Sequence, residues 1–477
     1  MTARSPRKTE IHAAAERMAP ERERWIAKNA HFHDEDRRTM RFLIPPGLKV
    51  LDLGCGNGDL LAALEPARGV GIDFAAAAVA RARDRHPHLE FRHADAEDEA
   101  AFDHLGGPFD VIVLSDLVGD LDDAERTLRL LHRVSAPHTR LVIAYHAPLW
   151  EPILAAGEMA GIKAKQVQQN WLGTEDLENL LRLAGFDPIR RDWRQLVPRR
   201  WLGLGGLINR SLGTLPGLRR LCLRTYLVAR PVPAPAVEPP SVSVVVPCRN
   251  ERGNIAAAVV RLPRFAPKQE IIFVEGHSND GTLAEIHRVV AANPHLDIKA
   301  LVQDGKGKGD AVRKGFDAAT GDILIILDAD LTVPPEWIPR FYEAIRSGAG
   351  EFANGSRLVY PMEAQAMRFL NMLGNRFFSI LFTWLLNQRF TDTLCGTKAL
   401  SRAHYRQIAA NRAYFGNFDP FGDFDLIFGA AKLNLKVVEV PVRYASRTYG
   451  TTQISRFAHG WLLLRMCAFA FFKLKAF

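Results

Sequence analysis

Apolar runs of five or six residues recur along this 477-residue chain, each closed by a glycine or an acid and followed by a stretch of helical period. In the first half Leu48–Leu53 (LKVLDL), Arg68–Ile72 and Leu89–His93 read as buried strands. In the second half Ser241–Val246, Glu270–Val274 and Asp322–Leu327 do the same. Near-continuous apolar strands alternating with helices predict open sheets, largely parallel and covered on both faces. Between the halves, Arg230–Ser241 (RPVPAPAVEPPS) holds five prolines and no hydrophobic period, which predicts a stiff, extended linker. The pattern therefore predicts two α/β domains, residues 1–230 and 241–453, joined by a Pro-rich linker at 231–240 and followed by a C-terminal helix over 454–477.

Composition narrows the class. With 47% hydrophobic and 24% charged residues the chain matches globular averages, which excludes a disordered, collagenous or coiled-coil protein. No apolar stretch reaches the roughly 20 residues of a membrane-spanning helix, and MTARSPRKTE lacks the apolar core of a secretory signal. Five scattered cysteines show no metal-ligand pairing. A cytoplasmic, reduced chain is expected. The net charge of +9 is concentrated: Arg190–Arg230 holds ten arginines against Asp192 alone, and Arg443–Phe477 six basic residues and no acid. Both segments are rich in Leu, Phe and Trp, a mixture that suits an anionic membrane surface better than nucleic acid, the alternative being a solvated rim around an anionic substrate.

In the first half, strand and helix are joined by Gly54-Cys55-Gly56-Asn57-Gly58, where glycines let the backbone approach a ligand at a helix N-terminus. Asp73, at the end of the second strand, can accept from ribose hydroxyls, and Asp95 after the third is placed for an adenine edge. The spacing is G-x-G-x-G and lacks the G-x-G-x-x-G of dinucleotide folds. VLDLGCGNGDLL, GIDF, HADAED and FDVIVLSDLVGDLDD together resemble the motifs of class I S-adenosylmethionine-dependent methyltransferases, over about residues 40–232. The resemblance implies a Rossmann-like fold, S-adenosylmethionine as cofactor, and Asp52, Gly54, Cys55, Gly56, Asp73, Phe74, Asp95 and Ala96 around it. His146 and Asp116 are candidates for a base, needed only if the acceptor is a hydroxyl. A satisfied strand-end histidine and a capping aspartate are the favoured readings of the two. The methyl acceptor is not readable.

In the second half, Asp328-Ala329-Asp330 closes an apolar strand. Two acids two residues apart at a sheet's C-terminal edge can bind a divalent cation, which neutralises a diphosphate leaving group. VVVPCRNERGNI, VEGHSNDGT, DADLTVPPE and TDTLCGTKAL, in this order, resemble an inverting nucleotide-sugar glycosyltransferase of the GT-A fold, closest to the dolichol-phosphate-mannose-synthase type, over about residues 241–460. This implies a UDP- or GDP-linked sugar held by Pro247, Asn250, Glu251, Glu275, Lys308 and Asp328. It further implies Mg²⁺ or Mn²⁺ on Asp328 and Asp330, and a polyprenyl phosphate acceptor. Glu275-Gly276 departs from the commoner acid-acid-Gly-Ser form and leaves the base open. A hydroxyl acceptor would need a base, Asp423 or Asp425. A phosphate acceptor would instead call on cations: Arg447 and Arg357 first, then Arg368 and Arg443. The apolar period around 362–386 and the aromatic, basic 454–477 predict helices lying in a membrane interface.

The expectation is a bifunctional cytoplasmic enzyme, peripheral at the membrane. A glycosyltransferase acting on a hydroxyl of a soluble sugar or polysaccharide, beside a cofactor-binding or inactive module, is the alternative.

Overall fold

A computed structural model describes residues 5–167, 169–234, 238–360, 369–414, 424–450 and 456–477. The chain divides into two compact units, Met1–Pro233 with Lys475–Phe477, and Ala234–Leu474. Each is built on one seven-stranded sheet.

The first unit contains β1 (Lys49–Leu53), β2 (Arg68–Asp73), β3 (Glu90–His93), β4 (Val111–Ser115), β5 (Arg140–His146), β6 (Phe186–Arg194) and β7 (Arg224–Pro231), in the order β3-β2-β1-β4-β5-β7-β6. The first five are parallel, and β7 inserts antiparallel between β5 and β6. Val50, Leu51, Ile72, Ile112, Leu114 and Ile143 are almost wholly buried, as strands covered on both faces require. The order reverses at β1/β4, so ligand chemistry belongs at the C-terminal ends of those strands. The described final strand is the β7 hairpin partner of β6; β6 itself, with charged Arg190, Asp192 and Arg194 along it, gives no apolar run to read.

The second unit contains β8 (Val242–Cys248), β9 (Gln269–Glu275), β10 (Asp297–Val302), β11 (Ile323–Ile326), β12 (Phe352–Ser356), β13 (Lys398–Ser401) and β14 (Val437–Pro441), ordered β10-β9-β8-β11-β13-β12-β14. β10, β9, β8 and β11 run parallel, and β13 is antiparallel to both β11 and β12. Pro247 sits in β8 beyond the last residue paired with β11, where the ladder to that strand stops. Helices Phe369–Leu386 and Arg456–Leu474 follow the predicted interface segments, residues 362–368 lying outside the described residues. Among the described residues no helix is long and apolar enough to cross a membrane. All five cysteines are buried and unpaired with one another.

Candidate functional sites

At the end of β1 the chain turns through Gly54, Gly56 and Gly58, with φ of +72°, +53° and +77°. A side chain at any of the three would be strained. Asp73 ties this turn together: its Oδ2 accepts from Gly56 N (2.8 Å) and its Oδ1 from Ala75 N (2.9 Å). Burial pushes the Asp73 carboxyl up and that of Asp52 up to about 7, the latter also by the charge of Asp73. A Cβ on Gly56 would lie 2.9 Å from the Arg22 guanidinium, so only glycine lets this cation pack directly against the turn. Cys55 and Ala96 are buried and line the same sheet edge.

The N-terminal helix Pro6–Met18 covers this edge, a feature the sequence pattern did not signal. Lys8 Nζ binds Asp95 Oδ1 (2.7 Å) and the Glu97 carboxylate. Arg7 donates to Gly119 O (2.6 Å), His12 meets the Phe74 ring edge-on, and Glu16 accepts from Ala76 N and Ala77 N. Asp95, expected at an adenine edge, thus has one oxygen committed to Lys8 and to Glu97 N.

One strand over, Asp116 follows β4 with φ +59° and His146 ends β5. His146 Nδ1 lies 3.2 Å from Asp116 Oδ1. Asp116 is also bound by Arg224, which is wholly buried on β7 and donates to Asp36 Oδ1 (3.0 Å); Tyr226 OH donates to the same Asp36 oxygen (2.5 Å). Burial would raise the Asp116 carboxyl, but Arg224 and His146 hold it far below the usual range. Burial drives His33, nearby on the helix Ala30–Leu43, down to about 4. Arg224, Asp36 and Tyr226 were not found from sequence, because only the β5/β7 register brings residue 224 opposite residue 146.

In the second unit the loop after β8 is pinned to the loop after β9. Asn250 (φ +56°) donates from its N to Ser278 Oγ (2.9 Å) and accepts at Oδ1 from Asn279 N (3.0 Å). Glu251 N donates to Thr282 Oγ1 (3.0 Å). Glu275 is buried, with its carboxylate accepting from His277 N and Ser278 N, so it shapes its own loop. Beyond β11, Asp328 pairs with Lys308 Nζ (2.6 Å). Asp330 accepts from Thr332 Oγ1 (2.8 Å) and, at Oδ2, from Arg447 Nη2 (2.6 Å). Arg447 Nη1 donates to Glu251 Oε1 (3.0 Å), so one guanidinium joins two of the candidate acids. Burial would raise the Asp328 carboxyl, but Lys308 holds it below the usual range. A Cβ on Gly396, from TDTLCGTKAL, would collide with both Asp328 and Lys308, which explains a glycine there.

The remaining candidates have other partners, although Arg357 lies near enough to help lower the Asp328 carboxyl. Arg357 is buried and bidentate on Asp392 (Nε 2.6 Å, Nη2 2.9 Å), with its guanidinium over Tyr444. Arg443 is exposed beside the Tyr360 ring. Asp425 is buried against Arg412 Nε (3.4 Å) and Arg313 Nη1 (3.8 Å). Arg368 and Asp423 lie outside the described residues.

Residues 18–190 match the family model "Methyltransferase domain", and residues 243–409 match "Glycosyl transferase family 2". The chain carries a methyltransferase domain and a family 2 glycosyltransferase domain. The glycosyltransferase domain is similar to the dolichol-phosphate mannosyltransferase of Saccharomyces cerevisiae, 36% identical over 24% of this chain and 44% of that protein. It is also similar to the polyprenol monophosphomannose synthase of Mycolicibacterium smegmatis, 27% identical over 44% of this chain and 80% of that protein. The chain spans less than half the length of the first curated relatives it matches. On the methyltransferase side, a solved structure from Thermotoga maritima, titled a possible histamine N-methyltransferase, is 17% identical over 45% of this chain and 96% of its own (TM-score 0.35).

Two absent groups can be set against these residues. The Gly54–Gly58 turn, with Leu117, Arg22 and Phe91 packed against its glycines, is flanked by buried Asp52 and Asp73, the acids that a cationic, ribose-bearing cofactor such as S-adenosylmethionine requires. Asp328 and Asp330 offer hard oxygen donors, each already facing a cation. No cluster of three or more metal-ligating His, Cys, Asp or Glu occurs among the described residues. One or two carboxylates completed by substrate phosphates is the mode in which Mg²⁺ is commonly held.

Proposed function

We propose that this chain is a bifunctional enzyme. The glycosyltransferase domain moves a sugar from a nucleotide sugar to a polyprenyl phosphate, and the methyltransferase domain acts in the same glycan or glycolipid pathway. The observation that carries the first part is the convergence of Glu251, Asp330 and Arg447, with Lys308 on Asp328, at the C-terminal edge of one sheet. In this reading Asn250 and Glu251 border the nucleotide. A divalent cation held by Asp328 and Asp330 would neutralise the departing diphosphate. Arg447 sits between nucleotide-side and metal-side acids and binds the acceptor phosphate, whose anionic oxygen needs no base. Asp425, paired with Arg313 and Arg412, is not called upon, and Arg357 holds Asp392 in place. Relatives named for transfer to dolichol and polyprenol carriers support a lipid acceptor.

In the methyltransferase domain Gly54, Gly56, Asp52 and Asp73 hold S-adenosylmethionine, with the helix Pro6–Met18 closing over it through Lys8. When bound, the cofactor supplies an electrophilic methyl group. Membrane contact in this reading comes from exposed Phe377, Ile380, Trp461 and Phe472 on the two long helices of the glycosyltransferase domain, and from the Arg- and Leu-rich segment 199–221 of the methyltransferase domain.

The test is transfer from a panel of labelled nucleotide sugars, with Mg²⁺ or Mn²⁺ and polyprenyl phosphate, scored as label extracted into organic solvent. Metal-dependent label that Asp330→Ala abolishes is expected. Nucleotide release with no label in the lipid would overturn the acceptor and favour a hydroxyl acceptor instead.

A further inference from the structure

We infer that His146 is the general base of the methyltransferase domain, that Asp116 orients it, and that the group methylated is a hydroxyl. The inference rests on the methyltransferase reading above and names its acceptor class.

Position comes first. Asp116 and His146 stand at the C-terminal ends of the adjacent parallel strands β4 and β5. β1, which carries the glycine turn, pairs with the other side of β4. Leu117, next to Asp116, comes within 3.1 Å of where a Cβ on Gly54 would lie, so the dyad borders the cofactor turn itself. The left-handed backbone of Asp116, unusual for a non-glycine residue, aims its carboxylate back at His146.

The hydrogen bonds then set the proton's place. Asp116 is held ionised by the buried Arg224, and Arg224 is itself fixed by Asp36. An ionised carboxylate 3.2 Å from Nδ1 favours the tautomer with its proton there. Arg224 Nη1 also approaches Nδ1, at 3.5 Å, but its shorter contact is with Asp116. Nε2 is thereby left with its lone pair. It has no hydrogen-bond partner among the described residues, and the side chain keeps 13% of its surface accessible. Phe32 stacks on the ring with planes 5° apart and fixes its tilt. A histidine serving only to satisfy a strand end would use both nitrogens; this one keeps Nε2 without a partner among the described residues, on a ring held by Phe32.

The chemistry selects the acceptor. A carboxylate is already anionic, a thiol ionises with little help, and an amine attacks with its lone pair and loses its proton afterwards. A hydroxyl is the acceptor whose proton must leave as the new bond forms. The hydroxyl oxygen takes the methyl carbon while the C–S bond breaks, with that bonding pair staying on sulfur as a neutral thioether. The hydroxyl proton passes to His146 Nε2, and Asp116 stabilises the resulting imidazolium until the proton leaves to water.

The test uses the full chain. Calorimetry with S-adenosylhomocysteine should give equal heats for wild type, His146→Gln and Asp116→Asn. No heat in wild type would remove the methyltransferase reading itself, leaving the dyad without a reaction. Labelled methyl transfer is then measured onto two probes, a methyl glycoside bearing only hydroxyls and its 2-amino counterpart. Label on the hydroxyl probe, reduced roughly 10²- to 10⁴-fold in His146→Gln, is expected. Label dependent on the amino group, or a change under threefold in His146→Gln, would overturn the proposal. Nitrogen-15 spectra of histidine-labelled protein give a reading that needs no acceptor. His146 should carry its proton on Nδ1 in wild type and lose that preference in Asp116→Asn; a proton on Nε2 in wild type would overturn the proposal by itself.

Discussion

Asp392 and Arg357 illustrate how one residue's partner decides its role. From sequence Arg357 is a cation available to a phosphate; in the fold its guanidinium meets a carboxylate 35 positions later, and both are buried. Burial alone would raise the Asp392 carboxyl, but Arg357, Asn375 and the Arg357 amide bring it down to about 2 from an ordinary 3.8. Because the folded-state value is the lower one, the pair's stabilisation is fully present above about pH 4 and is lost as pH falls through 2. Asp392→Asn strands a buried guanidinium and should cost about 3–5 kcal/mol. Urea denaturation followed on the isolated glycosyltransferase-domain transition, at pH 7 and again at pH 3, checks both the size and the sign. The variant's deficit should shrink at the lower pH.

At the scale of elements, two contacts should separate the activities of the domains. Gly396 lies so close to Lys308 and Asp328 that Gly396→Ala forces one of them to move. Sugar transfer should fall by at least about tenfold while S-adenosylhomocysteine heat stays unchanged; loss of both would point to global unfolding. Conversely, Lys8 is the one cation of the helix Pro6–Met18 bound to the loop of Asp95 and Glu97. Lys8→Ala should raise amide hydrogen exchange over residues 6–18 and weaken S-adenosylhomocysteine binding, without changing sugar transfer. Unaltered exchange would mean that Arg7 and Glu16 suffice to dock the helix. These contacts also mark where sequence reading stops. The strands β1, β2, β8, β9 and β11 were legible because burial on both faces writes continuous apolar runs, and the glycine turn and Asp328-Ala329-Asp330 were legible because local geometry demands those residue types. Lys8 on Asp95, Arg224 on Asp116, Arg447 on Asp330 and Arg357 on Asp392 join residues 35 to 117 positions apart. No local pattern records such pairs, and β6, charged along its length, resembles a surface segment until its pairing with β7 is known.

For the whole molecule, the proposed membrane contact makes its own demand on the surface. Residues 199–221 of the methyltransferase domain expose Trp201, Leu202, Leu204, Leu207, Leu218 and Leu221, with Leu202 95% accessible, among Arg199, Arg200, Arg210, Arg219 and Arg220 and with no acid. Monomeric soluble surfaces rarely expose large contiguous apolar patches, and this short segment exposes the six large apolar side chains just named. A rim of arginines adds about 1 kcal/mol per cation near an anionic leaflet, and each inserted leucine about 1.5–3 kcal/mol. The proposed lipid-linked acceptor would give such a surface a purpose, since it confines enzyme and substrate to the same plane. The full chain should therefore float with vesicles containing phosphatidylglycerol, bind far less to pure phosphatidylcholine, and lose binding as salt screens the arginines. Leu202→Asp with Leu207→Asp should lower partitioning at least about tenfold while transfer to a detergent-dispersed acceptor stays near wild type. If partitioning persisted in that variant, attachment would rest on Phe377, Ile380, Trp461 and Phe472 of the glycosyltransferase domain alone, and substituting those four by polar residues would be the variant that abolishes it.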